Sequence, residues 1–312
     1  MNLRTMLDRL RYLIIASLFV VCSSAGAAPR GTTEALPADG GDLGKAFAEL
    51  KQAFGAADKV RGASLLDASA WHLDTKEPGW FARISEQLAK FSPVGGRRQG
   101  DRATLFVADK QPYYAMLNAT YVAGAWKFDS PIPVGSRLDP AGRDCTVLPT
   151  RFPCAAKSAP DAQVAGTLQS YRVDPETKAR FRPVAVLDGL AVRMVDPQAQ
   201  ELKSTLIVLS GTGINPAMVA LSSEPDQVSG WLKSPVLVLE VAPDGKRAAV
   251  KYADGISPQS FEVTSGLRID TQTPNRVRGE LKTDQKDVAQ FDITFDIGTL
   301  SDCLAGVYQC GD

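Results

Sequence analysis

Histidine is nearly absent: His72 is the single one in 312 residues. Zinc sites and histidine-based acid–base relays draw on several imidazoles, so one histidine argues against both. Cysteine is also sparse, five in all, and Cys22 directly follows an N-terminal apolar run. Charge of one sign is lacking too, with 35 basic and 35 acidic side chains. A balanced surface argues against nucleic acid or an anionic lipid layer as the main partner. No apolar stretch beyond the N-terminal one is long enough to cross a bilayer.

The first segment, residues 1–27, has the layout of a secretory signal. Arg4, Arg9 and Arg11 form a basic start, Tyr12 to Val21 an apolar middle, and Ala25-Gly26-Ala27 a small-residue cleavage site. Phe19-Val20-Val21 before Cys22 lacks the small residue that a lipid-attachment signal wants, so cleavage is expected rather than anchoring. Losing Arg4, Arg9, Arg11 and Asp8 leaves 32 basic against 34 acidic residues. The expected address is periplasmic or secreted, with no membrane span after cleavage. The four remaining cysteines, Cys145, Cys154, Cys303 and Cys310, then sit in an oxidising compartment and read as two disulfides. Three pairings are possible, and the local one, Cys145 with Cys154 and Cys303 with Cys310, is expected because each pair is close in sequence.

About 285 of the 312 residues remain after cleavage, more than one small core needs, so two domains are expected. Residues 28–42 are rich in glycine, proline and alanine and read as a flexible leader. Asp42 is placed to cap a helix from Leu43 to Ala57 with Leu43, Phe47, Leu50 and Phe54 on one face. A short turn of helix is expected over Val60 to Leu66, and another helix from Pro78 to about Lys90 with Phe81, Ile84, Leu88 and Phe91 as its stripe. Strands follow at Arg102 to Ala108, Pro112 to Val122 and Ala125 to Asp129. These readings make residues 43–133 an α+β domain, with helices packed on a curved antiparallel sheet. The run Gly100-Asp-Arg-Ala-Thr-Leu-Phe-Val107 and the later Gly124-Ala-Trp-Lys-Phe-Asp129 resemble the SnoaL-like cone fold. That resemblance implies N-terminal helices seated in the concavity of the sheet.

Residues 134–163 hold four of the six prolines between Pro131 and Pro160 and enclose the first cysteine pair, so they read as a linker. Beyond it, residues 164–300 carry strand after strand separated by turn residues. Thr167 to Val173 comes first, Phe181 to Leu187 turns at Asp188-Gly189 into Gly189 to Val195, and Ser204 to Leu209 is continuously apolar. The strongest of all is a hairpin, Pro235 to Ala242 and Lys246 to Tyr252, closed by Asp244-Gly245. Phe261 to Ile269, Arg276 to Lys282 and Gln290 to Ile297 complete the set, which predicts an all-β sandwich-like or open-barrel domain. Through Thr205 to Ser210, Val277 to Thr283 and Phe291 to Asp296 this half resembles a β-rich domain of uncharacterised exported bacterial proteins. The resemblance implies no chemistry. Residues 301–312 form a tail closed by the second cysteine pair.

Candidate sites are few. Trp71, His72, Trp80, Tyr114 and Trp126 are expected to line a ligand pocket if the first sheet curves, since ligand sites are apolar concavities with few polar groups. Ser210-Gly-Thr-Gly213 follows an apolar strand but lacks the preceding glycine of a nucleophile elbow and the lysine of a phosphate loop, so a plain turn is expected. Asp292, Thr294 and Asp296 share one strand face, where alternation alone puts polar groups toward water. Arg97, Arg98 and Arg102 cluster beside Gly95-Gly96 and read as a solvated turn. No catalytic group, metal or cofactor is expected. The composition points to an exported, non-catalytic binding protein, of inhibitor, immunity or envelope-accessory type, whose partner is another exported or envelope protein. The alternative is a small-ligand binder or enzyme using a cavity in the N-terminal domain.

Overall fold

The computed structural model describes residues 31–68, 70, 79–109, 113–137, 161–173, 178, 180–195, 202–216, 219, 235–254, 258–263, 265–285 and 288–300. Residues 1–27, read as a signal, the four cysteines expected to form disulfides, Trp71 and His72 lie outside them.

Three helices occur among the described residues, α1 Gly41–Gly55, α2 Lys59–Leu65 and α3 Trp80–Lys90. Asp42 is not the cap of α1. Gly40 holds that position at φ 78° with no side-chain cap, and a β-carbon there would lie 2.5 Å from Leu105 Cδ1. Backbone conformation and close approach both demand glycine, so the helix starts earlier than a capping side chain suggests. Asp58 does cap α2, its Oδ1 accepting the Arg61 amide at 3.0 Å.

The strands in the N-terminal half are β1 Gly31–Leu36, β2 Ser92–Gln99, β3 Arg102–Ala108, β4 Tyr113–Val122, β5 Ala125–Phe128 and β6 Val134–Arg137. Those in the C-terminal half are β7 Ala162–Ser170, β8 Val184–Ala185, β9 Asp188–Val195, β10 Leu202–Ser210, β11 Val236–Val241 and β12 Ala248–Ala253. They continue with β13 Pro258–Val263, β14 Leu267–Gln272, β15 Arg276–Gln285 and β16 Ala289–Leu300.

The expectation of an α+β domain followed by a separate β domain is overturned, because all sixteen strands among the described residues belong to one hydrogen-bonded sheet. Its main path runs β13-β12-β11-β10-β9-β16-β7-β1-β2-β3-β4-β5. The join is β1, inside the segment read as a flexible leader. Gly31 to Thr33 pair with β7, and Glu34 to Leu36 pair with β2. A second join is the end of β16, which is antiparallel to β7 and β15 but meets β9 in parallel at Thr299 and Leu300. The β8 and β9 segments do not form the expected hairpin across Asp188-Gly189; β8 pairs with β7 and β9 with β10. The expected strand Phe261 to Ile269 is likewise two, β13 and β14.

Three apolar seams stack the sheet into layers. Leu43, Phe47, Leu50 and Phe54 of α1 and Ile84 and Leu88 of α3 cover one face of β3–β5, against Leu105, Leu117 and Phe128. The opposite face of β3 and β4 offers Phe106 and Met116, which pack on Leu190, Val192, Leu206, Val208, Val236 and Val238 from β9 to β11. The far side of β9 to β12, with Ile207, Leu239, Val250 and Tyr252, meets Val164, Phe291, Phe295 and Ile297 of β7 and β16. Tyr252 and Phe291 touch edge to face at 5.1 Å although three strands separate β12 from β16 along the sheet, so the sheet doubles back on itself. Strands buried on both faces read as unbroken apolar runs, and β3, β10 and β11 do so.

The central hairpin forms with β11 and β12 in register from Val236↔Ala253 to Val241↔Ala248. Its turn is closed by Ala242 N–H to the Arg247 carbonyl at 3.0 Å, with Gly245 at φ 69°.

Candidate functional site

Two motifs that are far apart in sequence meet at the seam between β2–β3 and β9–β10. Of the arginine cluster read as a solvated turn, Arg98 is exposed and Arg102 half-buried, but Arg97 is buried. Arg97 lies on β2 beyond the bulge between Pro93 and Gly95, and its side chain and that of Asp188 are each 1% exposed. Its Nε donates to Asp188 Oδ2 at 2.7 Å and its Nη2 to Oδ1 at 2.9 Å. Asp188 opens β9 and also accepts the amides of Gly189 and Ile214, both at 2.9 Å. A buried carboxylate costs several kcal/mol of lost hydration, and here a fixed two-pronged cation and two amides replace its water.

The Ser210–Gly213 turn docks onto the same place. Gly213 N–H donates to Thr104 Oγ1 at 2.7 Å, and that hydroxyl donates in turn to Asn118 Oδ1 at 2.9 Å. Arg102 Nη2 reaches the Gly211 carbonyl at 2.7 Å, and Ser210 Oγ accepts the Thr212 amide at 3.1 Å. Burial draws the Arg102 guanidinium below its ordinary pKa, with Asp101 opposing; arginine nonetheless stays cationic in proteins. A β-carbon on Gly213 would sit 2.7 Å from Arg97 Cβ and 2.8 Å from Thr104 Cβ, so the turn seats only because that residue has none. Thr33 of β1 completes the seam, its Oγ1 donating to the Leu187 carbonyl.

A second buried carboxylate, Asp254, directly follows β12. It accepts Ser170 Oγ at 2.8 Å and lies 3.7 Å from Arg172 Nη1, tying the β12 layer to β7. Burial, then the Asp254 charge, pushes the Tyr252 phenol well above its ordinary value of 10.0.

The aromatic residues expected to line a pocket are placed as follows. Trp80, 3% exposed, packs on Phe54 at 5.4 Å and Phe81 at 4.9 Å. Trp126, 6% exposed, meets Tyr121 at 5.2 Å and carries the Arg98 guanidinium 5.3 Å over its ring. Both belong to the buried helix-side cluster. Tyr114 pairs in β4 opposite Ala108, and Trp71 and His72 fall outside the described residues. Asp292 and Asp296 form cross-strand ion pairs, with Lys282 at 3.5 Å and with Arg276 respectively. Among the described residues no cluster of metal-ligating side chains occurs.

One open groove, about 500 Å³, runs between the β11–β12 turn and β14. All six residues of β14, Leu267 to Gln272, line one wall, and Pro243 to Lys246 line the other. Leu267 and Ile269 pack inward against the core, while Arg268 and Asp270 are exposed and paired at 3.2 Å. Gln272 Nε2 donates to Thr205 Oγ1 of β10 at 2.8 Å, which holds the far end of β14 down.

The Arg97–Asp188 pair has no local signature, since it depends on β2 and β9 becoming neighbours across layers. The groove is equally silent in sequence. The only hint was an Asp-Gly turn with charged flanks.

No protein family, curated protein or solved structure matches this chain.

Proposed function

We propose that this is an exported, non-catalytic interaction protein that holds another exported or envelope protein. The observation that carries the reading is the division of its polar groups. The hydroxyls, guanidiniums and carboxylates of the motifs nearest to chemistry, Arg97, Thr104, Asp188 and Ser210, are sealed in a seam and spent on one another. By contrast, the charged groups of Asp244, Lys246, Arg268 and Asp270 stand along a groove open to solvent, as a recognition surface requires. The signal layout of residues 1–27 supports export, and the balanced charge supports a protein partner over nucleic acid.

The test is capture of the tagged, processed protein from envelope extracts, identification by mass spectrometry, and reconstitution with the purified candidate. A stoichiometric complex rebuilt from two pure components is the expected result. Failure to rebuild any complex, together with a measurable turnover that His72→Ala abolishes, would overturn the reading. Fractionation and N-terminal sequencing test export, with a mature chain beginning after Ala27 expected.

A further inference from the structure

We infer that the groove beside β14 receives an extended segment of the partner polypeptide, which adds to the sheet as a further strand. This rests on the interaction-protein reading and names the chemistry of the contact.

Among the described residues β14 pairs on one side only, with β15, so its other margin ends the sheet. A strand margin presents alternating main-chain donors and acceptors, and the ligand that matches that alternation is another peptide backbone. The groove follows the whole strand rather than one end of it, because Leu267 to Gln272 all contribute to its wall. Six residues of strand extend roughly 20 Å, the length a short extended peptide occupies. The floor is already built. Gly245 of the hairpin turn approaches β14 closely enough that a β-carbon there would lie 3.5 Å from Ile269 Cβ and 3.5 Å from Gln272 Oε1. Inward side chains of an added strand would therefore rest on the turn instead of on water.

Natural sheets commonly blunt such margins. Here Arg268 and Asp270 point outward, and the ladder with β15 skips Asp270, between Ile269↔Gly279 and Thr271↔Arg278. The bulge bends the strand, and the groove carries charges of both signs, Asp244 and Lys246 on the turn and Arg268 and Asp270 on β14. Arg268 pairs with Asp270 at 3.2 Å and with Glu280 at 3.3 Å, and this mixture suits a partner of mixed charge. These are features that keep identical chains from stacking while leaving room for a selected sequence.

The experiment uses the full processed chain and a phage-displayed library of random peptides as the probe. Enriched peptides, resynthesised, are expected to slow amide exchange across residues 267–272. Asp270→Pro removes the amide and fixes the backbone at the one β14 position that has no partner in the β15 ladder, and is expected to weaken peptide binding by roughly tenfold or more. If that variant does not fold, the double reversal Asp244→Lys, Lys246→Glu on the opposite wall serves, with the same loss expected. Peptides that protect amides elsewhere, or bind both variants like the parent, overturn the inference, as does failure to enrich any peptide. The envelope capture separates the two readings: a partner that rebuilds a complex with the groove variants unchanged leaves the interaction role standing and removes only the groove.

Discussion

Arg97 and Asp188 stand 91 positions apart and meet in the interior as a two-pronged ion pair, at 2.7 and 2.9 Å. The pair joins the first group of strands to the second and is the anchor on which the Ser210–Gly213 turn comes to rest.

Removing one partner strands a charge in a dry seam. Arg97→Met or Asp188→Leu is expected to lower unfolding stability by about 3–5 kcal/mol. The double variant Arg97→Met, Asp188→Leu is expected to cost less than the two single losses added together. Urea unfolding of the four proteins measures this, and strict additivity would show that the pair is not coupled.

Gly213 tests the docking of the turn. Gly213→Ala drives a methyl against Arg97 and Thr104 at 2.7 and 2.8 Å, both side-chain β-carbons on packed strands. The expected loss is about 1–3 kcal/mol, from overpacking rather than backbone strain. A melting temperature equal to that of the parent would show that the turn has slack.

Tyr252 predicts the alkaline limit. Burial first, and the Asp254 charge second, hold its phenol above the ordinary 10.0, so the folded state keeps the proton that the unfolded chain releases. Its stabilising contribution is therefore complete below pH 10.0 and is lost as pH rises from there toward the folded value. Stability measured against pH should fall above that point, and Tyr252→Phe should flatten the fall. An unchanged alkaline slope in the variant would assign the effect to other groups.

The strand β1 predicts the result of trimming. A chain beginning at Pro37 loses the pairing of Gly31–Thr33 with β7 and Glu34–Leu36 with β2, and also the Thr33 bond to Leu187. Such a chain is expected to unfold at lower denaturant concentration, with a smaller slope or a second transition if the two groups of strands separate. A single transition at the parent midpoint would show that β1 is an ornament of the sheet.

Much of the local structure was legible in the chain. The stripe Leu43, Phe47, Leu50 and Phe54 marked α1, and the unbroken apolar runs marked β3, β10 and β11. Those same unbroken runs also carried information about layering, because a strand lacking polar alternation needs cover on both faces. Phe106 and Met116 find that cover on β9 to β11, which packs the first group of strands onto the second. The glycine- and proline-rich composition around Gly31–Leu36 concealed β1, since propensity is a weak guide where pairing on both sides supplies the stability.

Local side-chain spacing thus determined which segments become helix or strand and where the hairpin Val236–Ala253 turns. Only the tertiary structure decided which strands become neighbours, and with that the burial of Arg97 on Asp188 and the groove along β14. The reason is physical: a helix stripe or a strand alternation is set by residues a few positions apart. An ion pair across layers, or a strand margin left without a neighbour, depends on contacts between positions that the chain brings together only when the whole sheet has closed.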